Sequence, residues 1–243
     1  MNELNIEKLN EILIHQSKLA SLGEMIANIA HQWRQPIAEL NAILMNIKTA
    51  NRFSDLSSEK LEQKLDDAED LLVYMSNTIE DFRNFFSIDK KKDYFSLQNC
   101  INKTLNILKS SFKQHHIEVF VDEFEDINIY GYANEFSTVL LNLLANAKDV
   151  AIERKIKRAK ISIKIFNSNN IKKISIIDNC GGVKVEPIEK IFEPYYTTKP
   201  SNIGTGIGLY ICKNIIKNRF SSEIDVKNLK NGAKFTISLK NCF

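Results

Sequence analysis

Glycine and proline are scarce in this sequence, at 8 and 4 residues of 243, which leaves little room for flexible linkers or disordered tracts. No apolar run is long enough to span a bilayer, and no signal-peptide layout opens the chain. The four cysteines, Cys100, Cys180, Cys212 and Cys242, lack metal-ligand spacing. With no secretion signal they are expected to be reduced thiols of a cytosolic protein. A formal charge of +3, with Lys and Arg mixed among Asp and Glu, gives no ground for a nucleic-acid partner. What is left is an ordinary hydrophobic content of 44% in a chain long enough for two modest domains.

Two glycine clusters bracket a Thr/Lys stretch. Asp178-Asn179-Cys180-Gly181-Gly182 opens it, Gly204-Thr205-Gly206-Ile207-Gly208-Leu209 closes it, and Phe192-Glu193-Pro194-Tyr195-Tyr196-Thr197-Thr198-Lys199 lies between. Glycine lets backbone approach a ligand closely, and a glycine-rich turn that opens a helix aims bare N–H groups at phosphate. Here an apolar helical pattern, Leu209 to Ile216, follows the closing glycines. Each cluster taken alone is equally consistent with a tight turn.

Upstream, residues 1–16 carry Leu9, Ile12 and Leu13 at helical spacing, a lead-in helix. From Leu22 an apolar stripe runs through Ile26, Ile29, Trp33, Ile37, Leu40, Leu44 and Ile47, with gaps of four and three. Asn51 to Asp55 break it. A second helix then starts, with Ser57 or Ser58 as N-cap and a stripe through Leu61, Leu65, Ala68, Leu72, Met75, Ile79, Phe82 and Phe86. Residues 17–89 thus make an antiparallel helical hairpin, which exposes most of its apolar stripe. Pairing with a second copy, as a homodimeric four-helix bundle, would bury the stripe; packing on the chain's own second domain is the alternative. His31 falls about opposite the stripe, with Arg34 and Gln35 on its face, and Pro36 in mid-pattern points to a bend beside it.

A charged linker at 90–94 separates the hairpin from residues 95–243. There the pattern predicts helices over 97–112 and 134–156, and strands over 117–121, 127–130, 161–166, 174–177 and 235–239. Helices interleaved with mainly hairpin-linked strands imply an α/β sandwich, one sheet covered by helices on one face. The longer helix sets Asn142 and Asn146 on one face of an otherwise apolar stretch. Such amides serve either as core hydrogen-bonders or as oxygen ligands to Mg²⁺. Asp178, at a strand end before glycines, is either a turn residue or an acceptor for an exocyclic amine.

Taken together, these stretches resemble the transmitter core of bacterial two-component sensor histidine kinases from about Lys18 onward. Ala30-His31-Gln32-Trp33-Arg34-Gln35-Pro36-Ile37 is similar to the phosphoacceptor box, in its Gln-Trp-Arg-Gln-Pro variant, and Asn142 to Ala147 to the N box. Asp178 to Val183 is similar to the first glycine box, and Phe192 to Lys199 with Gly204 to Leu209 to the F box and second glycine box. The resemblance implies a dimerisation and histidine-phosphotransfer hairpin followed by a GHKL (Bergerat-type) ATP-binding domain. It implies that His31 is phosphorylated from ATP·Mg²⁺, with Gln35 and Arg34 as further catalytic candidates, and that Asn146 with Asn142 holds the metal. Asp178 would read adenine. Asp149, Gly182, Val183, Thr197, Thr198, Lys199, Gly204, Thr205, Gly206, Ile207, Gly208 and Leu209 complete the nucleotide site it implies. It implies as partners a twin chain and the receiver domain of a separate response regulator; a membrane enters only through a sensor upstream of this chain.

Three positions depart from the common pattern. Gln32 stands where an acidic residue follows the histidine, leaving Glu24 and Glu39 as activating candidates by spacing. Cys180 replaces a glycine. Asp149 replaces a lysine, so γ-phosphate neutralisation falls to Lys148 or Lys199. Two rival readings fit parts of the pattern: a GHKL ATPase that gates a dimer clamp, and a degenerate kinase acting as a nucleotide-sensing scaffold.

Overall fold

The computed structural model describes residues 33–53, 57–86, 91–122, 126–168, 171–198 and 206–239. A first helix, α1, occupies residues 33–52, and α2 spans Ser58–Phe86. Ser57 caps α2, its hydroxyl accepting the Lys60 N–H at 3.3 Å. α1 runs on through Pro36, which is buried. The two apolar stripes divide by heptad row. Trp33, Leu40 and Ile47, and across the turn Leu61, Ala68 and Met75, are half-buried or buried in the single chain. The alternate rows, Ile37 with Leu44 and Leu65 with Leu72, stand roughly half exposed. Among the described residues of each stripe, one heptad row is therefore covered and the other is open. The lead-in helix expected over 1–16, and His31 itself, lie outside the described residues.

The remainder is built on two sheets. β1 (Asp93–Ser96) and β3 (Asn128–Gly131) pair antiparallel, and the main sheet has the order β2-β4-β5-β7-β6. Its strands are β2 (Glu118–Val121), β4 (Lys160–Ser168), β5 (Ile171–Asp178), β6 (Glu223–Leu229) and β7 (Gly232–Leu239). β2 and β4 are parallel; the other neighbours are antiparallel. Three helices, α3 (Leu97–Gln114), α4 (Ala133–Glu153) and α5 (Gly208–Phe220), cover one face, as the interleaved pattern implied. Alternation along the strands sends Ile161, Ile163, Ile174, Ile176, Phe235 and Ile237 into this core, all nearly inaccessible.

α4 is the axis of the domain. No side chain caps its N-terminus at Tyr132, a deficit of about 1 kcal/mol. It buries Phe136, Val139, Leu140, Leu143 and Leu144, each contributing on the order of 1.5–3 kcal/mol, so packing decides its position. It ends at Glu153, three residues before the expected end, and Arg154 is its C-cap. Its last turn holds no basic residue, and Arg154 and Lys155 lie beyond it.

α3 starts cleanly: Ser96 accepts the Asn99 N–H at 3.0 Å, and Asp126 takes the Ser96 hydroxyl at 2.6 Å and the Gln98 N–H at 2.9 Å. β1 and β6 were not among the expected strands. β1 begins at Asp93, inside the stretch expected as linker, and brings Phe95 against Phe136 and Phe220. α2 also touches α4.

Candidate functional site

A cleft of about 520 Å³ opens between α4 and the sheet, within the usual range for a small-molecule site. Its apolar lining is Ala147 and Val150 from α4, Ala233 and Phe235 from β7, Ile191, and Leu209 from the first turn of α5. Its polar lining comes from Asn146, Asp178, Thr197 and Thr198, with Glu153, Arg154 and Lys184 also reaching it. Gly182 and Val183 line it as well. An apolar slot with a few converging polar groups suits a flat heterocycle carrying a polar tail.

Asp178 ends β5 on the core side of the sheet, opposite Ile161. Its Oδ1 accepts the Cys180 N–H at 2.8 Å and the Ala233 N–H at 3.3 Å. Both of these N–H groups go to Oδ1, the Cys180 side chain also bonds the carboxyl, and Asp178 lines the cleft. Burial raises the carboxyl pKa above its ordinary value, against the lowering pull of those two N–H groups and of the Arg154 guanidinium.

The turn after Asp178 follows from its residues. Gly181 and Gly182 have φ of +85° and +70°, which demand glycine. Cys180 does not, and its thiol is buried near the Ala147 carbonyl at 3.9 Å, so a small side chain is accommodated there. Burial, with Asp178 beside it, pushes that thiol up to about 11. Cys180 should therefore resist iodoacetamide near pH 8 in the native protein and react once urea unfolds it, as peptide mass mapping would show.

Two side chains not expected from the sequence hold this turn. Arg154 Nη1 donates to the Cys180 carbonyl at 2.6 Å and to the Gly182 carbonyl at 2.8 Å. Asn228 on β6 accepts the Val183 N–H at 2.7 Å and donates to the Val183 carbonyl at 2.8 Å. One signal for Arg154 was in the sequence: it continues, at the C-cap, the four-residue spacing of Asn142, Asn146 and Val150 on α4. For Asn228 no local signal exists, since it is 45 residues from its partner.

The two asparagines separate in role. Asn146 lines the cleft, whereas Asn142 is outside its lining and donates Nδ2 to the Thr138 carbonyl at 3.0 Å. That leaves the Asn142 oxygen as an acceptor next to Gly208, where an added Cβ would lie 3.0 Å from it. Among the described residues no group of three or more His, Cys, Asp or Glu side chains could hold a metal ion. Amide oxygens completed by ligand phosphates and water are a set that Mg²⁺ accepts, so the residues present fit that ion.

α5 begins at Gly208 with no side-chain cap hydrogen bond, and its positive end lies where Leu209 lines the cleft. Gly206 carries φ +65° and lies against the backbone of Tyr195, tying the second glycine cluster to the Phe192–Thr198 stretch. Ile207 is buried. Lys199, Gly204 and Thr205 lie outside the described residues. Asp149 is ion-paired with Lys148 at 3.3 Å, Lys148 is buried, and neither lines the cleft.

On α1, Arg34 and Gln35 are exposed, and Gln35 Nε2 donates to the Glu39 carboxylate at 3.0 Å. Among the described residues, no helix is long and apolar enough to cross a membrane.

Comparison with known proteins agrees with this geometry. The family model for histidine kinase-, DNA gyrase B-, and HSP90-like ATPases matches residues 131–241. The two-component sensor PprA of Pseudomonas aeruginosa is 26% identical over 239 residues, covering 96% of this chain and 26% of that protein. Sporulation kinase B of Bacillus subtilis is 26% identical over 239 residues, with 95% and 52% covered. The signal transduction histidine-protein kinase AtoS of Escherichia coli is 29% identical over 228 residues, with 91% and 35% covered. The chain thus spans from about a quarter to about half the length of these relatives.

The solved catalytic domain of histidine kinase ThkA superposes with a TM-score of 0.52 at 28% identity, over 61% of this chain and 95% of that one. ThkA solved with response regulator protein TrrA shares the fold over 98% of this chain and 67% of that one, with a TM-score of 0.50 at 22% identity. Residues 131–241 match the histidine kinase-, DNA gyrase B-, and HSP90-like ATPase family, and over nearly its whole length the chain is similar to the sensor histidine kinases named above.

Proposed function

We propose that the chain binds ATP·Mg²⁺ in the α4–sheet cleft, phosphorylates His31 on the helical stem, and passes the phosphoryl group to an aspartate of a separate response regulator. The observation that carries this reading is the Asp178 carboxylate, fixed at Oδ1 by two N–H groups and lining an apolar slot, in a site that also takes in Asn146 and the start of α5. Adenine would fit the slot with its amino group on Asp178. Thr197 and Thr198 reach the same cleft, and Asn146 with Asn142 would supply amide oxygen to the metal. When bound, Mg²⁺ neutralises phosphate charge. The protein's own part is to place an in-line nucleophile and fix the donor groups. Neutral imidazole suits that nucleophile, since its ordinary pKa lies near 6.5.

The test loads the chain with Mg²⁺·ATP, removes free nucleotide and adds a candidate receiver domain. The proposal expects phosphate on the receiver. Catalytic ADP formation with nothing on either protein would favour the clamp ATPase, and tight ATP binding with neither product would favour the scaffold.

By its position four residues after His31 in the sequence, Gln35 is our candidate for orienting water in reverse dephosphorylation of the regulator. In this proposal Gln35→Ala slows regulator dephosphorylation several-fold and spares autophosphorylation; an unchanged dephosphorylation rate would exclude that role.

The stem supports a homodimer. Among the described residues, each chain covers one heptad row of each stripe and leaves the other open, a pattern that suits a four-helix bundle of two hairpins. Burying one exposed leucine contributes on the order of 2 kcal/mol, and two leucines on each of two chains multiply that. The double variant Leu65→Asp/Leu72→Asp is expected to run as a monomer in light scattering where the unaltered chain runs as a dimer. A dimer that survives both changes would place its interface elsewhere.

A further inference from the structure

We propose that Arg154 is a positioning residue for nucleotide recognition: it fastens the Cys180–Gly182 turn to the end of α4 and thereby aims the acceptor oxygen of Asp178 at the purine. This rests on the ATP reading of the cleft and names a residue on which that recognition depends.

The mechanical path is short. Arg154 is the first residue beyond α4, in the same row as Asn146 and Val150. One nitrogen, Nη1, holds two carbonyls of a single turn, at 2.6 and 2.8 Å, and an added Cβ at Gly181 would come within 3.1 Å of that nitrogen. The turn held this way contains the Cys180 N–H, one of the two donors that fix Asp178 Oδ1. Asp178 lines the cleft, so the orientation set at Oδ1 decides how the carboxyl faces a ligand there. Release of the guanidinium lets two glycines with positive φ relax, and the Cys180 N–H moves with them. The far side of the turn stays pinned, because Asn228 holds Val183 independently. Loss of Arg154 should therefore loosen the Asp178 end and leave the fold in place.

A lysine ammonium also carries several N–H donors but sits on a shorter side chain without the guanidinium's fixed plane, so it restores the two carbonyl contacts only in part. Arg154→Met is expected to weaken ADP binding about thirtyfold, and Arg154→Lys about fivefold. At saturating ATP the rate of autophosphorylation should change less than about threefold, so the effect falls on KM.

The experiment measures ADP affinity by calorimetry, well below the melting temperature, for the full chain, both Arg154 variants and Asp178→Asn. Graded loss across Met and Lys, beside a larger loss for Asp178→Asn, supports the proposal. If Asp178→Asn loses affinity and both Arg154 variants keep it, Arg154 has no such role and the cleft reading stands. If Asp178→Asn also keeps full affinity, the cleft reading itself is wrong and the proposal falls with it. Should Arg154→Met fail to fold, Arg154→Lys decides: a folded Lys variant with full affinity overturns the proposal, and equal losses in KM and maximal rate would reduce Arg154 to a structural part.

Discussion

Asp178→Asn is expected to lower ADP and ATP affinity by about a hundredfold while leaving the unliganded protein at least as stable as before. Two N–H groups, from Cys180 and Ala233, already select an acceptor at Oδ1, so the substituted amide must keep its oxygen there. Its NH₂ then occupies the Oδ2 position and presents a donor to the donor amine of adenine. A hydrogen bond involving a charged group contributes about 1.5–3 kcal/mol, and the facing donors add an unsatisfied pair, which together reach about 3 kcal/mol.

The stability half of the result follows from linkage. Burial lifts the folded pKa of Asp178 above 3.8. The folded protein therefore holds the proton at pH values where the unfolded chain has released it. The cost of the ionised carboxylate is absent below the unfolded pKa and grows as pH rises through the folded one. An amide does not carry that cost. Conversely, nucleotide affinity of the unaltered protein should drop as pH falls through the raised pKa, earlier than an ordinary aspartate would dictate, and Asp178→Asn should flatten that step. Calorimetry across pH together with thermal melts of the apo protein checks both parts. A variant that melts far lower than the parent would make Asp178 a structural residue.

Gly232→Ala is expected to destabilise the ATPase domain by about 3 kcal/mol, at the upper end of overpacking effects, which for a domain of this size lowers Tm by roughly 6–12 °C. Gly232 opens β7 opposite Leu229, and a Cβ there would overlap the Asp178 carbonyl oxygen and crowd Asn179 Cα at 2.9 Å. Both atoms are backbone at the end of a central strand, so neither can swing aside. The β6–β7 hairpin would have to lift from β5 at the point where Ala233 donates to Asp178. Lost stability should thus be accompanied by lost ADP affinity, even at temperatures where the variant is folded. Denaturant melts and calorimetry on one preparation separate the two; an unchanged midpoint would show that the β5–β7 contact is looser than described.

Periodicity in the sequence located most of the framework. The stripes with gaps of four and three placed α1 and α2, and the isoleucine-rich runs placed β4 and β5. Where expectation and structure differ, a distant partner decides. β6 alternates Ile224 and Val226 with charged Glu223, Asp225 and Lys227, a signal muted because an edge strand carries its charges on the open face. β1 is four residues long and owes its pairing to β3, 32 to 38 positions away.

The site shows the same divide. Asp178, Gly182, Val183 and Asn146 line one cleft, a grouping that the family resemblance implied and spacing alone did not. Helical spacing alone did not separate Asn146 on the cleft from Asn142 beside Gly208, because that depends on where the cleft ends along α4. Arg154 and Asn228 bind backbone carbonyls and amides, which no residue pattern names.

The most direct measurement is the fate of the γ-phosphate. The intact chain is incubated with Mg²⁺ and ATP labelled at that position, then quenched in acid and in base, beside His31→Gln. The account predicts acid-labile, base-stable label on the unaltered chain and none on His31→Gln, with ADP binding intact in both. Label that persists in His31→Gln, or a chain that binds ATP and never carries label, would contradict it.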